Sequence, residues 1–348
     1  MKIFQCGNCS HPLFFENSDC ENCGHLVGYN DTKRIMNSFV PTNQGMLFSD
    51  RNTDKYRYCK NEEYGVCNWL IKDDAPNDYC TACSLNRTIP NLADKTNHEK
   101  WHKLEVAKHR LIYQLQRLHL PLPSKLNVEE GLCFDFLAQT SDNEVMTGHA
   151  NGIITIRLSE ADSVLREQIR RELSEPYRTL IGHFRHEVGH YFWERLIAID
   201  TSKLDEFRSI FGDERMDYGK ALKSYYATGG VDNWSEHFIS KYATSHPWED
   251  WAESWAHYLH IMDITETSYY FGLEVNPNKG FSGMKGSISF DPYEADDFGR
   301  IVKDCIPVLF AVNSINRSMG IPDAYPFVIN QSVIDKMTFI HQLIFKTK

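Results

Sequence analysis

The pentapeptide His186-Glu187-Val188-Gly189-His190 constrains this chain more than any other stretch. Residues four apart stack on one face of a helix, so both imidazoles can reach a single zinc ion while Glu187 approaches the water it binds. Fifteen histidines make an accidental HExxH a real risk, and the surrounding pattern has to decide. At about 100° per residue, Tyr177, Ile181, Phe184, Val188, Tyr191, Phe192 and Ile199 fall on one apolar stripe, whereas Thr179, His186, His190, Trp193 and Ile197 share the opposite side. The expected helix is buried on both sides and offers its histidines away from the main stripe. Hydrogen-bonded core histidines are the plainer alternative.

At 348 residues and 42% hydrophobic composition the chain can hold one large domain and one small one. No run of 18 apolar residues occurs, and the first nine residues lack the basic and apolar blocks of a signal peptide, so a cytoplasmic protein without membrane association is expected. Ten cysteines suit a reducing compartment when they bind metal rather than form disulfides. A net charge of −10 argues against a nucleic-acid surface, and the basic stretches at 108–117 and 166–171 read as solvated helix faces.

Cys6, Cys9, Cys20 and Cys23 form two CxxC pairs separated by ten residues, each able to turn its thiolates toward a common centre. Four sulfurs at about 2.3 Å make a closed tetrahedral zinc site, which in so short a segment would supply most of the folding energy. A thioredoxin-like redox pair would need a strand–helix context that is missing. With short strands at 11–15 and 24–28, residues 1–30 read as a zinc ribbon. Residues 29–58 are polar, with turn signals at 30–31, 41–43 and 50–54, and read as a connector. Among Cys59, Cys67, Cys80 and Cys83 only the last pair has the CxxC spacing, and a second structural zinc module is expected over residues 55–92. Tyr56, Tyr58, Tyr64, Trp69 and Tyr79 could stack on bases, but a module this small needs aromatics for its own core.

From Asn97 to Leu120, the apolar residues Trp101, Leu104, Ala107, Leu111, Ile112, Leu115 and Leu118 recur at helical spacing before Pro121 and Pro123. This helix is expected to pack the cysteine-rich half onto the remainder. Strands are expected at 132–137 and 152–158; the second is the candidate sheet edge for pairing with a substrate backbone, an ordinary core strand being the alternative. His149 beside it reads as structural and Cys133 as core. Ser159 is the expected N-cap of a helix that carries Leu165, Ile169 and Leu173 and stops before Pro176. Residues 200–234, charged and broken by turns at Gly212-Asp213 and Gly229-Gly230, offer no clear chemistry. A Gly-rich loop at 280–286 reads as a surface turn. Helices at 297–316, kinked by Pro307, and at 329–345 would close the back of the cleft.

Catalytic zinc takes three protein ligands and keeps one position open. The metzincin pattern needs a glycine at 193 and a histidine at 196, where this chain has Trp193 and Leu196. Glu194 lies one turn past His190, too far along the same helix. Residues 242–260 are the better source. Pro247 suits a first helical turn, after which Glu249, Glu253 and His260 share a face while Trp248, Trp251, Trp255 and Leu259 pack elsewhere. One carboxylate can ligate while the other orients a ligand imidazole; Glu249 as ligand with Glu253 behind it is the preferred order, and the reverse also fits the spacing. A solvated acidic face is the plainer alternative, weakened by the tryptophans around it. His237, His246 and His257 are reserve candidates that read as structural.

Together the CxxC ribbon, Cys67-Asn68-Trp69, Thr147-Gly148-His149, the HExxH helix and His246-Pro247-Trp248-Glu249-Asp250-Trp251-Ala252-Glu253 resemble the bacterial zinc-binding metallopeptidases that carry an N-terminal zinc ribbon. The resemblance covers nearly the whole chain. Similarity to gluzincin-like peptidases implies an α+β architecture, with a zincin-like metallopeptidase domain over residues 97–348. It also implies His186, His190 and Glu249 as zinc ligands, Glu187 as general base and Glu253 behind a ligand. The catalytic domain of the anthrax lethal factor is similar here too, with a tyrosine seven residues before its ligand glutamate. That position is Tyr242, which would donate a hydrogen bond to an oxyanion, simple packing being its other reading. The expectation is zinc-dependent hydrolysis of a peptide or protein substrate, with one catalytic and two structural zinc ions. The alternative is a zinc-ribbon adaptor binding protein or nucleic acid, its HExxH region only a structural metal site. The acidic charge counts against nucleic acid, and Glu187 would have no role there.

Overall fold

The first cysteine pair sits between two short antiparallel strands, β1 (Phe4–Gln5) and β2 (Pro12–Leu13). In this computed structural model the described residues are 1–41, 47–49, 55–139, 145–172, 175, 177–278 and 282–346. Most of the turn signals at 41–43 and 50–54, the helix positions Leu173 and Pro176, and Gly280 and Phe281 of the Gly-rich loop lie outside them. Beyond the first knuckles, β3 (Leu26–Asn30), β4 (Ile35–Pro41), β5 (Leu47–Ser49), β6 (Lys55–Tyr58) and β7 (Leu70–Lys72) form one antiparallel sheet in that order. The stretch read as a connector is therefore largely strand. Its polarity is turned inward: Ser38 is buried and its hydroxyl accepts a hydrogen bond of 2.7 Å from the Gly7 backbone N–H of the first knuckle. This sheet runs from one cysteine group toward the other, so the segments 1–30 and 55–92 both contribute strands to it. Trp69 and Tyr56 are core, whereas Tyr64 and Tyr79 are partly exposed.

The helix α1 (Lys95–Arg117), capped by Asp94, joins this scaffold to the rest. Trp101, Leu104, Leu111, Ile112 and Leu115 are fully buried, each aliphatic one worth roughly 1.5–3 kcal/mol. On one side the Tyr113 ring packs 5.4 Å from Phe15 and 6.1 Å from Tyr29. On the other, Gln114 donates to the Leu259 carbonyl at 2.6 Å and Arg117 to Glu266 at 3.0 Å.

A second sheet contains β8 (Asn86–Thr88), β9 (Cys133–Leu137), β10 (Gly148–Ala150) and β11 (Ile153–Arg157), in the order β10-β11-β9-β8. Cys133 is buried in β9. The strand expected at the edge, β11, lies inside, between β10 and β9. The turn at Asn151-Gly152, with φ of 48° and 76°, folds β10 back antiparallel onto β11, so β10 takes the edge. Downstream, Ser159 falls in a 3-10 turn over Leu158–Ala161, and α2 (Ser163–Glu172) is capped instead by Asp162, which accepts from Val164 N at 2.9 Å. The turn sends Glu160 inward to pair with His183 at 3.2 Å.

The remaining helices are α3 (Leu180–Leu196), α4 (Thr201–Phe211), α5 (Tyr218–Thr228), α6 (Pro247–Phe271), α7 (Phe298–Ser318) with Pro307 inside it, and α8 (Gln331–Phe345). Both α7 and α8 pack on α6, with the Tyr258 ring 5.3 Å from Phe298 and 5.8 Å from His341. Among the described residues no helix is long and apolar enough to cross a membrane.

Candidate metal centre

Thr179 starts α3 by accepting from Gly182 N at 3.1 Å, and Phe184, Val188 and Phe192 are buried along one side. The ends of the expected apolar stripe fall outside the helix, with Tyr177 before it and Ile199 exposed beyond it. The partner helix α6 has Pro247 in its first turn, and His246 caps it by accepting from Trp248 N at 3.1 Å. His246 is thus a cap, and His257 is tied to the Tyr325 hydroxyl at 2.8 Å. The two helices meet closely at Gly189, whose carbonyl accepts from Trp251 Nε1 at 2.8 Å.

That contact brings the HExxH face against Glu249 and Glu253. Nε2 of His186 and Nε2 of His190 lie 3.3 Å apart. Glu249 faces both, with Oε2 at 3.1 Å from His186 Nε2 and Oε1 at 3.6 Å from His190 Nε2. Glu253 Oε1 lies 2.8 Å from Nδ1 of His186. A carboxylate only accepts, so Nδ1–H of His186 donates to Glu253, and in the neutral form this fixes the tautomer whose Nε2 lone pair faces the cluster.

Do these residues fit a zinc ion? Tetrahedral zinc with bonds of 2.0–2.1 Å spaces its ligands about 3.3 Å apart, which matches the 3.3 Å between the two imidazole nitrogens and the 3.1 Å from His186 Nε2 to Glu249 Oε2, while the other oxygen, Oε1, lies 3.6 Å from His190 Nε2. Glu249 is 1% exposed, and its Oε2 faces His186 Nε2, which in the neutral ring offers a lone pair and no proton, a costly state that a cation would relieve. The local field already asks for positive charge. Burial opposes a charged His186, yet Glu249 and Glu253 raise its proton affinity well above the ordinary imidazole value. Burial likewise opposes an ionised Glu249, and the histidines hold it well below the usual carboxylate range.

Residues 97–343 match the model of a family described as "putative zinc-binding metallo-peptidase", and residues 3–94 match that of a zinc-ribbon domain. The chain belongs to this metallo-peptidase family. Uncharacterized proteins of Mycobacterium tuberculosis and Mycobacterium bovis are 39% identical to it over 347 residues, covering 99% of this chain and 95% of each relative. No solved structure matches it.

Among the described residues the cysteines form two further clusters, Cys6 with Cys9, Cys20 and Cys23, and Cys59 with Cys67, Cys80 and Cys83. Sulfur separations of 3.6 Å for Cys6–Cys23 and Cys9–Cys20, and 3.8 Å for Cys67–Cys80, match the roughly 3.8 Å edge of a zinc tetrathiolate. Backbone N–H groups support the second cluster, Cys80 N at 3.3 Å from Cys59 Sγ and Cys83 N at 3.4 Å from Cys80 Sγ. So does His109 of α1, whose Nε2 lies 3.7 Å from Cys83 Sγ. Nothing in the sequence around His109 singled it out.

Four tyrosines and a histidine surround the HExxH face. The Tyr242 ring lies 6.0 Å from that of His186, and Tyr225 packs 5.7 Å from Tyr242. Tyr218 donates its hydroxyl to Glu249 Oε1 at 2.7 Å, so the segment without evident chemistry reaches the centre directly. Tyr226 lies on the same helix and is exposed. His149 of the edge strand stacks on His190 at 6.3 Å and 15°, and its Nε2 accepts from Gly152 N at 3.0 Å. Burial and the neighbouring His190 push its pKa down to about 3, which keeps it neutral.

Proposed function

We propose that this chain is a zinc-dependent peptidase in which His186, His190 and Glu249 hold the catalytic metal and Glu187 is the general base. The observation that carries the reading is the convergence of two partly buried imidazole nitrogens, 3.3 Å apart, and a buried carboxylate oxygen 3.1 Å from one of them. Zinc bound there supplies Lewis acidity, lowering the pKa of water toward about 7 and polarising a scissile carbonyl. Glu253 keeps the His186 proton on Nδ1, so that Nε2 remains a lone-pair donor. Glu187, next to His186 and 9% exposed, accepts the proton of the attacking water and returns it to the leaving amine. Tyr242, beside His186, gives its O–H to the carbonyl oxygen as negative charge develops. The outer edge of β10, alongside α3, suits backbone pairing with an extended substrate. Each cysteine cluster holds a structural zinc.

The test is zinc content by elemental analysis of the wild type and of His186→Ala/His190→Ala, with peptide-library cleavage by the wild type and Glu187→Gln. The expected result is the loss of one zinc ion of three in the double variant. Glu187→Gln keeps its metal and loses cleavage by about 10²–10⁴-fold. An unchanged zinc count removes the centre, and a fully active Glu187→Gln removes the base.

A further inference from the structure

The two oxygens of Glu249 are in unlike states. Oε1 takes the Tyr218 hydroxyl at 2.7 Å, while Oε2 has no donor and faces His186 Nε2 at 3.1 Å. Tyr218 opens α5, a helix with no buried residue that lies between Gly212 and Gly229. The tyrosine ring is anchored on the N-terminal end of α6, 5.2 Å from His246 and 5.9 Å from Trp248, so its hydroxyl reaches Glu249 from outside the two helices that carry the metal ligands. Hydrogen bonds from a hydroxyl to a carboxylate are charge-assisted and short, and a carboxylate with one oxygen so engaged presents the other as a single donor. Released from Tyr218, both oxygens of Glu249 can close on one cation. That raises the coordination number and crowds the position which hydrolysis needs for water.

We propose that Tyr218 is a positioning residue that restrains Glu249 to bind the metal through Oε2 alone, and that α5 carries this restraint. The inference rests on the metal reading above and acts through Glu249. Tyr218→Phe keeps the ring packing and removes only the hydroxyl, so it isolates the claim.

The experiment uses the full zinc-loaded chain and follows zinc release to a colorimetric chelator. Wild type is expected to release one ion in a phase that His186→Ala/His190→Ala lacks, with the thiolate-bound ions leaving separately. In Tyr218→Phe the first phase slows, because the freed oxygen adds a bond to the ion that must break before it leaves, and the thiolate-bound ions leave as before. A merely structural role would not alter the metal's own spectrum, so the chains are also loaded with cobalt(II). Taken as the difference from the double histidine variant, the visible d–d bands should weaken in Tyr218→Phe as the coordination number rises. Tyr269→Phe, more than five turns from Glu249 along α6 and packed on Tyr270, should match wild type in both measurements. Tyr218→Phe with wild-type release and unchanged cobalt bands overturns the proposal. A double histidine variant that releases zinc exactly as wild type does removes the metal reading beneath it, a separately visible result.

Discussion

Replacing Gly189 by alanine should cost the metal centre more than it costs the fold. A Cβ at this position would lie 3.2 Å from Ala252 Cα, 3.2 Å from Trp255 Cβ and 3.2 Å from Trp255 Cδ1. Carbon atoms rest at about 3.5–4.0 Å, so each contact must lengthen by at least about 0.3 Å. Two of the three partner atoms are Cα and Cβ atoms of α6, which cannot swing aside, so α6 itself has to move outward. Overpacking of this kind costs about 1–3 kcal/mol, whereas alanine is favoured over glycine inside a helix by about 1 kcal/mol. The net loss of stability is then about 0–2 kcal/mol. The same displacement acts on Glu249 and Glu253, which flank the contact on α6. It stretches the 2.8 Å bond to His186 Nδ1 and the 3.1 Å approach to His186 Nε2. Zinc retention should fall by about 10-fold or more. Urea unfolding of the zinc-loaded chain, run in the wild-type and His186→Ala/His190→Ala backgrounds, separates packing from metal linkage, and chelator competition reads retention. A raised urea midpoint with wild-type retention would mean that the helices have room to spare, and the close-approach argument would fall.

Glu253→Ala leaves His186 Nδ1 without its acceptor and should weaken zinc retention by about 10–100-fold, while Glu253→Gln, whose carbonyl still accepts, stays nearer wild type. Equal chelator competition in the alanine variant and the wild type would remove the orienting role. Glu160 sets a pH dependence. Burial opposes its ionisation, but His183, Arg178 and Arg157 bring its pKa down to about 2. A depressed carboxylate stabilises fully above its unfolded pKa of about 4.3 and loses that stabilisation as pH falls through about 2. Glu160→Gln should therefore lower stability near neutrality and flatten the loss between about pH 4.5 and 2, by on the order of 2–3 kcal/mol. Superimposable acid unfolding limbs for variant and wild type would show that the pairing contributes nothing.

The parts of this structure readable from sequence are those whose cause is local. Pro247 in a first turn, and glutamates at 249 and 253 one turn apart, depend only on helical periodicity. Which glutamate faces which nitrogen depends instead on how α3 crosses α6, and so on the gap at Gly189 and the Trp251 bond to its carbonyl; spacing alone left both orders open. The misplaced sheet edge has a similar origin, because β10 has three residues and is too short to show an alternating pattern. The supposed connector failed for a different reason. Its polar Ser38 is buried and bonded to the zinc knuckle, so a strand side chain imitates the composition of a loop. His109 and Tyr218 are the deepest misses, lying 26 and 31 residues from the cysteine and the glutamate they contact. On its own helix each occupies an ordinary position, and only the packing of a separate element gives it a partner. Tyr218 reads as a surface residue until the turn after Gly212 and the Asp217 cap lay α5 against the start of α6, where its hydroxyl donates to the buried carboxylate.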